Sequence, residues 1–452
     1  MAKEAFLSCY KHLILLRSTF LKQSPEGRAE DMLDIKYIRD NVDHIKKGAR
    51  DKRNNIDLDA LLKLDAEIRP MQTKWEELQA SRNRLSKEIG KVAPEQRETM
   101  KSEVQEIKAQ METLEASIAT KKPELEAMLL LVPQPARADV PIGKDDTENL
   151  EIKKWGTVPQ FDFKPLDHVT LGQKHGLVDF ERGVRIAGSR SYVLTGLGAR
   201  LEQAVLRYVY DKLANKGYQA MSVPVLVRED CMTGTGYFPT GREQAYYCEK
   251  DEMALVGTAE VPLTSFYAGE ILPEDQLPVK MMAWSGCFRR EAGTYGKDTS
   301  GLYRVHQFQK IEQVIIGQAD EKISETYHAE LLANAEECLQ DFGLPYRVVY
   351  VCTGDLGQGQ VRKHDIETWM PSRNNYGETH SCSTFHEFQA RRLKLRYKGK
   401  DGQTKICHTL NNTAIASPRV LISLLEVHQQ KDGRIAIPKC LQPYLGGLTH
   451  IG

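Results

Sequence analysis

The chain lacks a net charge, a long apolar run and any closely spaced cysteine pair. Lysine and arginine number 62, and so do aspartate and glutamate. Global charge therefore points to no nucleic-acid or membrane partner, and any such contact must rest on local patches. No stretch approaches the roughly 18 uninterrupted apolar residues of a membrane span. The nine cysteines include no CxxC pair, which argues against a disulfide framework and against a zinc ribbon. They read as thiols of a reducing compartment. With 452 residues, the chain is too long for one core and divides into two or three domains.

What is present begins with a heptad. From Leu61, apolar residues recur at Leu64, Ile68, Met71, Trp75, Leu78, Leu85, Ile89 and Val92, with Arg82 breaking the series. A second run follows from Met100 through Val104, Ile107, Met111, Leu114 and Ile118 to Leu125, Met128 and Val132, broken at Lys121. Steps of three and four make each run a helical seam. The turn signal GKVAPEQ (90–96) between them predicts an antiparallel coiled-coil hairpin over about 58–131. Pro123 is expected to kink or interrupt the second arm.

The hairpin as a whole is slightly acidic, but its tip is not. Residues 82–101 carry Arg82, Arg84, Lys87, Lys91, Arg97 and Lys101 against Glu88, Glu95 and Glu98. Such a tip suits a phosphate backbone gripped without reading bases. The bland alternative is a purely structural coiled coil.

Beyond the hairpin, the proline- and charge-rich segment 132–150 reads as a linker. Residues 151–452 alternate strand patterns (280–288, 346–351) with helical ones (198–216, 320–342), giving an α+β fold with an antiparallel sheet flanked by helices. Within it, FRREAGTYGKDTSGLYRVHQFQKIE (288–312) suits two strands and a loop. The first strand would offer Arg289 and Glu291; the second would offer Arg304, the ring of Phe308 and Glu312. Guanidinium forks suit phosphate or carboxylate, a ring stacks a base, and an acid accepts from an amine or hydroxyl. Alone, this would be a solvated sheet edge. It is matched by HTLNNTAIASPRVLISLLE (408–426), where a β-type start (406–410) leads to Pro418 and Arg419 at the beginning of a helix, and by GYQAMSVPVL (217–226).

These three segments resemble the signature motifs of class II aminoacyl-tRNA synthetases. Further blocks narrow the resemblance to the seryl-tRNA synthetase family: GTGYFPTGREQAYY (234–247), GTAEVPLTSFYAGE (257–270), HDIETWMP (364–371), YGETHSCSTFHEFQARR (376–392) and LNNTAIASPR (410–419). It runs in order from about Met32 to the C-terminus. It implies formation of seryl-adenylate from L-serine and ATP, then transfer to the 3′ end of tRNA(Ser), with tRNA(Sec) left open. Phosphoryl chemistry of this kind needs positioning and charge neutralisation more than a protein nucleophile.

Carried over residue by residue, the resemblance implies that Arg289 bridges the serine carboxylate and the α-phosphate, and that Glu291 accepts from the adenine amino group. Phe308 stacks the base, while Arg304 and Arg419 flank the nucleotide from opposite sides, Arg304 near the γ-phosphate. Thr258 and Glu260 meet the serine α-amino group, Glu312 meets its hydroxyl, and Asn411 and Thr413 close the pocket. Glu378 and Ser381 are the expected Mg2+ and phosphate ligands, and no zinc is expected. Residues 32–131 would form the tRNA-binding domain, which holds the long variable arm of tRNA(Ser), and a homodimer is implied, with the arm of one subunit serving the other's site. The family often has Ser at position 290, Asn at 384 and Gly at 412 and 414, where this chain has Arg290, Thr384, Asn412 and Ala414. Two alternatives remain open: a carrier-protein ligase, and a non-catalytic RNA-binding relative. The expected compartment is the cytoplasm. Residues 1–31 read either as an extension before Met32 or as a transit peptide for mitochondrion or plastid.

Overall fold

The structure, a computed structural model, describes residues 33–294 and 301–452. The readings of residues 1–31 lie outside the described residues. Two compact units emerge, one containing residues 56–132, the other containing 43–55 and 133–452.

In the first unit, α1 (Leu58–Glu88) and α2 (Pro94–Leu131) form the expected hairpin. Asp57 caps α1 by accepting from the Ala60 amide at 2.9 Å, and Pro94 starts α2, where its missing N–H is no loss. Leu78, Leu85, Ile107 and Met111 are buried in the seam, with Trp75, Met100, Val104 and Leu114 packed against them. The Lys121 break is explained: its Nζ donates to Glu67 Oε2 across the hairpin at 2.6 Å. The expected interruption at Pro123 is not found. Helix α2 runs continuously through it, and α1 likewise through Pro70. A proline removes one hydrogen bond from a long helix, and the buried Leu125 and Leu129 keep the last turns on the seam.

The second unit is built on an eight-stranded sheet with strands β1 (Leu150–Trp155), β2 (Gln219–Met221), β3 (Val279–Phe288), β4 (Gln307–Gly317), β5 (Tyr346–Tyr350), β6 (Arg362–Met370), β7 (Asn375–His386) and β8 (His408–Ala416). Their order is β1-β5-β6-β7-β8-β4-β3-β2. Every pairing is antiparallel except that of β2 with β3. Helices α3 (Gly196–Asn215), α4 (Glu321–Asp341) and α5 (Ser417–Val427) contribute Leu206, Val209, Leu339 and Leu421 to a core shared with Ile311, Ile315 and Leu410 of the sheet.

Segment 132–150, expected as a linker, is bonded to the rest of the second unit. Its Gln134 and Arg137 amides donate to Gln358 and Val361, its Pro141 carbonyl accepts from Thr353, and Leu150 already starts β1. Proline and charge signal irregular backbone, not the absence of partners. The strand expected at 406–410 instead runs as β8 from His408 through Asn411 and Thr413 to Ala416 and passes directly into α5, because Asn411 and Asn412 pair with both β4 and β7 and Thr413 pairs with β4.

A buried histidine group links α4 to the sheet. His328 Nε2 meets His364 Nδ1 at 2.8 Å, His328 Nδ1 meets Thr384 Oγ1 at 2.8 Å, and His408 Nδ1 meets Ser324 Oγ at 2.9 Å. The Asn-to-Thr departure at 384 thus still supplies a hydrogen-bonding oxygen. Burial lowers the pKa of His364 to about 4 and of His408 to about 3. Because both folded values lie below the ordinary 6.5, their contribution to stability is intact above pH 6.5 and is lost as pH falls. At pH 4, neutral burial of His364 alone is opposed by about 3 kcal/mol. Urea unfolding is expected to show a steep fall in stability between pH 6.5 and 4; a flat profile there contradicts this assignment.

Candidate active site

Register explains why distant residues meet. Phe308, Lys310 and Glu312 stand two apart on β4 and so share one face. Thr413 of β8 lies directly opposite Glu312, and a bulge at Ala414 sets that register. On β7, Glu378 and Ser381 are three apart and would face opposite sides of a regular strand. A bulge at Thr379, where Ile366 pairs with His380 but Glu367 pairs with Glu378, returns both to the cleft.

The cleft encloses about 80 Å3, and its walls include Arg289, Glu291, Arg304, Phe308, Glu378, Ser381, Thr413 and Arg419. All eight were expected from the sequence. A larger hollow of about 460 Å3 lined by Met221, Val225, Arg207, Tyr210 and Trp284 has no acid and no converging set of cations among its lining residues. Its size does not make it the reaction site.

Strand β3 ends at Phe288 and β4 begins at Gln307, so Arg289, Glu291 and Arg304 all lie in the connection and not on the strands. Glu291 does not alternate with Arg289. It turns at φ 54°, a left-handed conformation costing about 1 kcal/mol for a residue with a side chain. That turn aims its carboxylate at Arg304 Nη1, 2.6 Å away. Arg289 rests 5.3 Å above the Phe308 ring, and its Nε donates to the Gly257 carbonyl at 3.3 Å. His306 holds this backbone: its carbonyl accepts from the Arg289 amide, and its Nδ1 lies 3.0 Å from the Arg289 carbonyl. Arg290 is exposed, its amide bonded to the Gln244 carbonyl.

Pro418 and Arg419 open α5, as expected. A cation at a helix N-terminus opposes the helix dipole, so Arg419 is poorly placed for stability alone. It is held by the Tyr303 carbonyl at 3.0 Å, the Glu378 carbonyl at 2.8 Å and the Glu378 carboxylate at 3.2 Å, with its plane 4.5 Å over the Tyr303 ring. Lost hydration works to raise the Glu378 pKa, but Arg419, Lys363 and Arg289 outweigh it and hold the carboxyl below its usual range. Glu378 and Ser381 offer only oxygen, which suits a hard cation shared with phosphates. Among the described residues, no three His, Cys, Asp or Glu side chains form a metal cluster.

Behind the cleft, Glu312 is buried and accepts from Thr258 Oγ1 at 3.0 Å and from Lys310. Lys310 Nζ also reaches Thr258 Oγ1 at 2.6 Å. Glu260 is buried beside this trio, and Asn411 keeps a buried Nδ2 with no partner among the described residues. Asn412 turns away, its Nδ2 donating to the Leu331 carbonyl at 2.7 Å, while the Ala414 side chain is buried in the core. Sequence reasoning missed Lys310, whose signal was the period of two it shares with Phe308 and Glu312. It also missed Tyr303, for which a lone tyrosine in a loop gave none. His380 is buried with its Nδ1 2.8 Å from Thr379 Oγ1, consistent with a structural role.

The six tip cations lie on the hairpin. Arg82 donates to Asn83 Oδ1, Arg97 to the Val92 carbonyl and Lys101 to Glu98. Arg84, Lys87 and Lys91 are exposed and make no ion pair with any described residue.

Comparison with known proteins supports the same assignment. Residues 246–428 match the tRNA synthetase class II core domain (G, H, P, S and T), and residues 32–135 match the seryl-tRNA synthetase N-terminal domain. A serine–tRNA ligase of Deinococcus radiodurans is 45% identical over 421 residues, covering 93% of this chain and 99% of the relative. The crystal structure of seryl-tRNA synthetase from Pyrococcus horikoshii complexed with ATP superposes with a TM-score of 0.86 at 35% identity, covering 93% of this chain and 99% of that one. The cytoplasmic serine–tRNA ligase of Naegleria fowleri in complex with AMP gives 0.80 at 30% identity, covering 91% and 95%. The chain belongs to the seryl-tRNA synthetase family.

Proposed function

We propose that this cleft activates L-serine with ATP to seryl-adenylate, and that the seryl group then passes to the 3′ end of a tRNA(Ser) held by the hairpin. The observation that carries the reading is the meeting of three guanidinium groups and a ring in one cleft, with the buried acid Glu312 behind it. Arg289 lies where one fork can hold both the serine carboxylate and the α-phosphate, which brings the attacking and attacked groups together. Phe308 and Glu291 receive adenine by stacking and by accepting from its amino group. Arg304 and Arg419 neutralise the phosphates, helped by the α5 N-terminus. With each positive group placed before the reaction starts, charge developing on the leaving pyrophosphate meets fixed donors and not mobile water.

For the amino acid, Thr258 and Glu260 take the α-amino group, and Glu312 takes the hydroxyl, with Thr413 and Asn411 closing the pocket. Lys310 donates to both Glu312 and Thr258 and so ties the two side chains together. A site built around a buried acceptor rejects alanine, which would leave that acceptor unpaired. Glu378 and Ser381 would hold Mg2+, which supplies charge neutralisation on the phosphates. Glu312→Gln, which keeps the shape, is expected to lower serine-dependent ATP–pyrophosphate exchange by at least about a hundredfold. Normal activation by that variant overturns the pocket assignment.

The homodimer reading rests on the resemblance of residues 217–226 to a class II signature motif. In that reading the arm of one subunit serves the site of the other. We place the chain in the cytoplasm. The eight described cysteines are free thiols, and no described helix is long and apolar enough to cross a membrane. The carrier-protein and non-catalytic alternatives gain no support: the relatives matched over nearly the whole chain are named serine–tRNA ligases.

A further inference from the structure

Glu260 lies in a chain of buried hydrogen bonds that no motif of the resemblance assigns. Tyr237 Oη donates to Glu260 Oε2 at 2.7 Å, and Gln389 Nε2 donates to Glu260 Oε1 at 2.7 Å. Gln389 is fully buried and is itself fixed at both ends. Its Nε2 also reaches the Thr235 carbonyl at 3.2 Å, and its Oε1 accepts from Thr409 Oγ1 at 2.6 Å. The Thr235 carbonyl, which can only accept, selects the amide orientation that points the NH2 group, not the oxygen, at Glu260.

We propose that Tyr237 and Gln389 are positioning residues that hold Glu260 as an oriented, ionised acceptor for the α-ammonium group of serine. This rests on the reading of Glu260 as the amino-group partner. Two donors, one to each oxygen, leave no acceptor for a carboxylic proton on the protein side and so favour the anion. The two remaining lone pairs are then free for the substrate ammonium. Tyr237 can only donate here, because burial and the charge of Glu260 push its phenol well above 10. The bias is needed: burial first, and then the nearby Glu312, lift the Glu260 pKa to about 7, while Tyr237, Gln389 and Lys310 pull it down. At neutral pH the carboxyl is poised, and each donor shifts the balance toward the charged form that an ammonium requires.

Tyr237→Phe deletes one donor and leaves no cavity. In serine-dependent ATP–pyrophosphate exchange, it is expected to raise the KM for serine roughly tenfold at pH 7, the scale of one hydrogen bond to a charged group. The KM for ATP should stay unchanged, and the acid limb of kcat/KM for serine should move to higher pH. Thr409→Val, which touches neither substrate and releases the Gln389 amide, should give a smaller change in the same direction. Glu260→Gln separates the two levels of the argument. If Glu260→Gln leaves the serine KM intact, the amino-group reading itself fails. If Glu260→Gln raises that KM while Tyr237→Phe moves neither it nor the pH limb, the positioning role is overturned. An equal rise in both KM values for Tyr237→Phe would mark a general packing defect and would also overturn it.

Discussion

Arg419→Ala should reduce kcat/KM for ATP in serine-dependent exchange by about a thousandfold, the upper range for losing one preorganised charged donor. The size follows from where the side chain sits. It is anchored by two carbonyls and the Glu378 carboxylate, and its face is stacked on Tyr303, so little ordering remains to be done when phosphate arrives. Removing it also leaves Glu378 facing the nucleotide without its nearest cation, which turns an attractive wall into a repulsive one. Arg419→Lys should recover only part of the loss, because one ammonium cannot hold the Tyr303 carbonyl, Glu378 and phosphate through a planar fork. Near-normal exchange by the alanine variant contradicts the clamp.

Neutralising Arg84, Lys87 and Lys91 together should weaken tRNA charging by one to two orders of magnitude while sparing amino-acid activation. Counterion release supplies the scale: three phosphate contacts account for a salt slope of about two to three in log–log form. The six tip cations are not equivalent. Arg82, Arg97 and Lys101 already bond to neighbours in the hairpin, whereas Arg84, Lys87 and Lys91 are exposed and without ion pairs to described residues. The triple variant should therefore lose most of the salt dependence of charging, and the other three substituted together should lose less. An equal fall in exchange and charging contradicts the tip as the RNA grip.

The hairpin was legible in the sequence because its seam follows one local period, and even the break at Lys121 turned out to mark a cross-arm ion pair with Glu67. Pro123 misled because a local rule about one lost hydrogen bond was applied to a helix of 38 residues held by a seam. In the second unit, eight residues carried by motif resemblance line one cleft, but on a backbone other than the one expected. Glu291 and Arg304 reach the cleft from a left-handed turn and a loop, and pleat alternation could not foresee a positive φ at glutamate. The bulges at Thr379 and Ala414 were equally hidden, since an extra strand residue leaves no composition signal, although it decides that Glu378 and Ser381 share a face. Lys310 could have been found from its alternation with Phe308 and Glu312. Tyr237 and Gln389 lie in the blocks 234–247 and 376–392, but their bonds to Glu260 could not be read there, because 23 and 129 residues separate them from it and only the fold brings them together.

The most direct measurement is a crystal structure of the chain with a non-hydrolysable seryl-adenylate analogue. The account predicts adenine on Phe308, the sulfamoyl or phosphate group on Arg289, the α-ammonium on Glu260 and the serine hydroxyl on Glu312. An analogue bound with its seryl end away from Glu260 and Glu312, or with its base off Phe308, would contradict it.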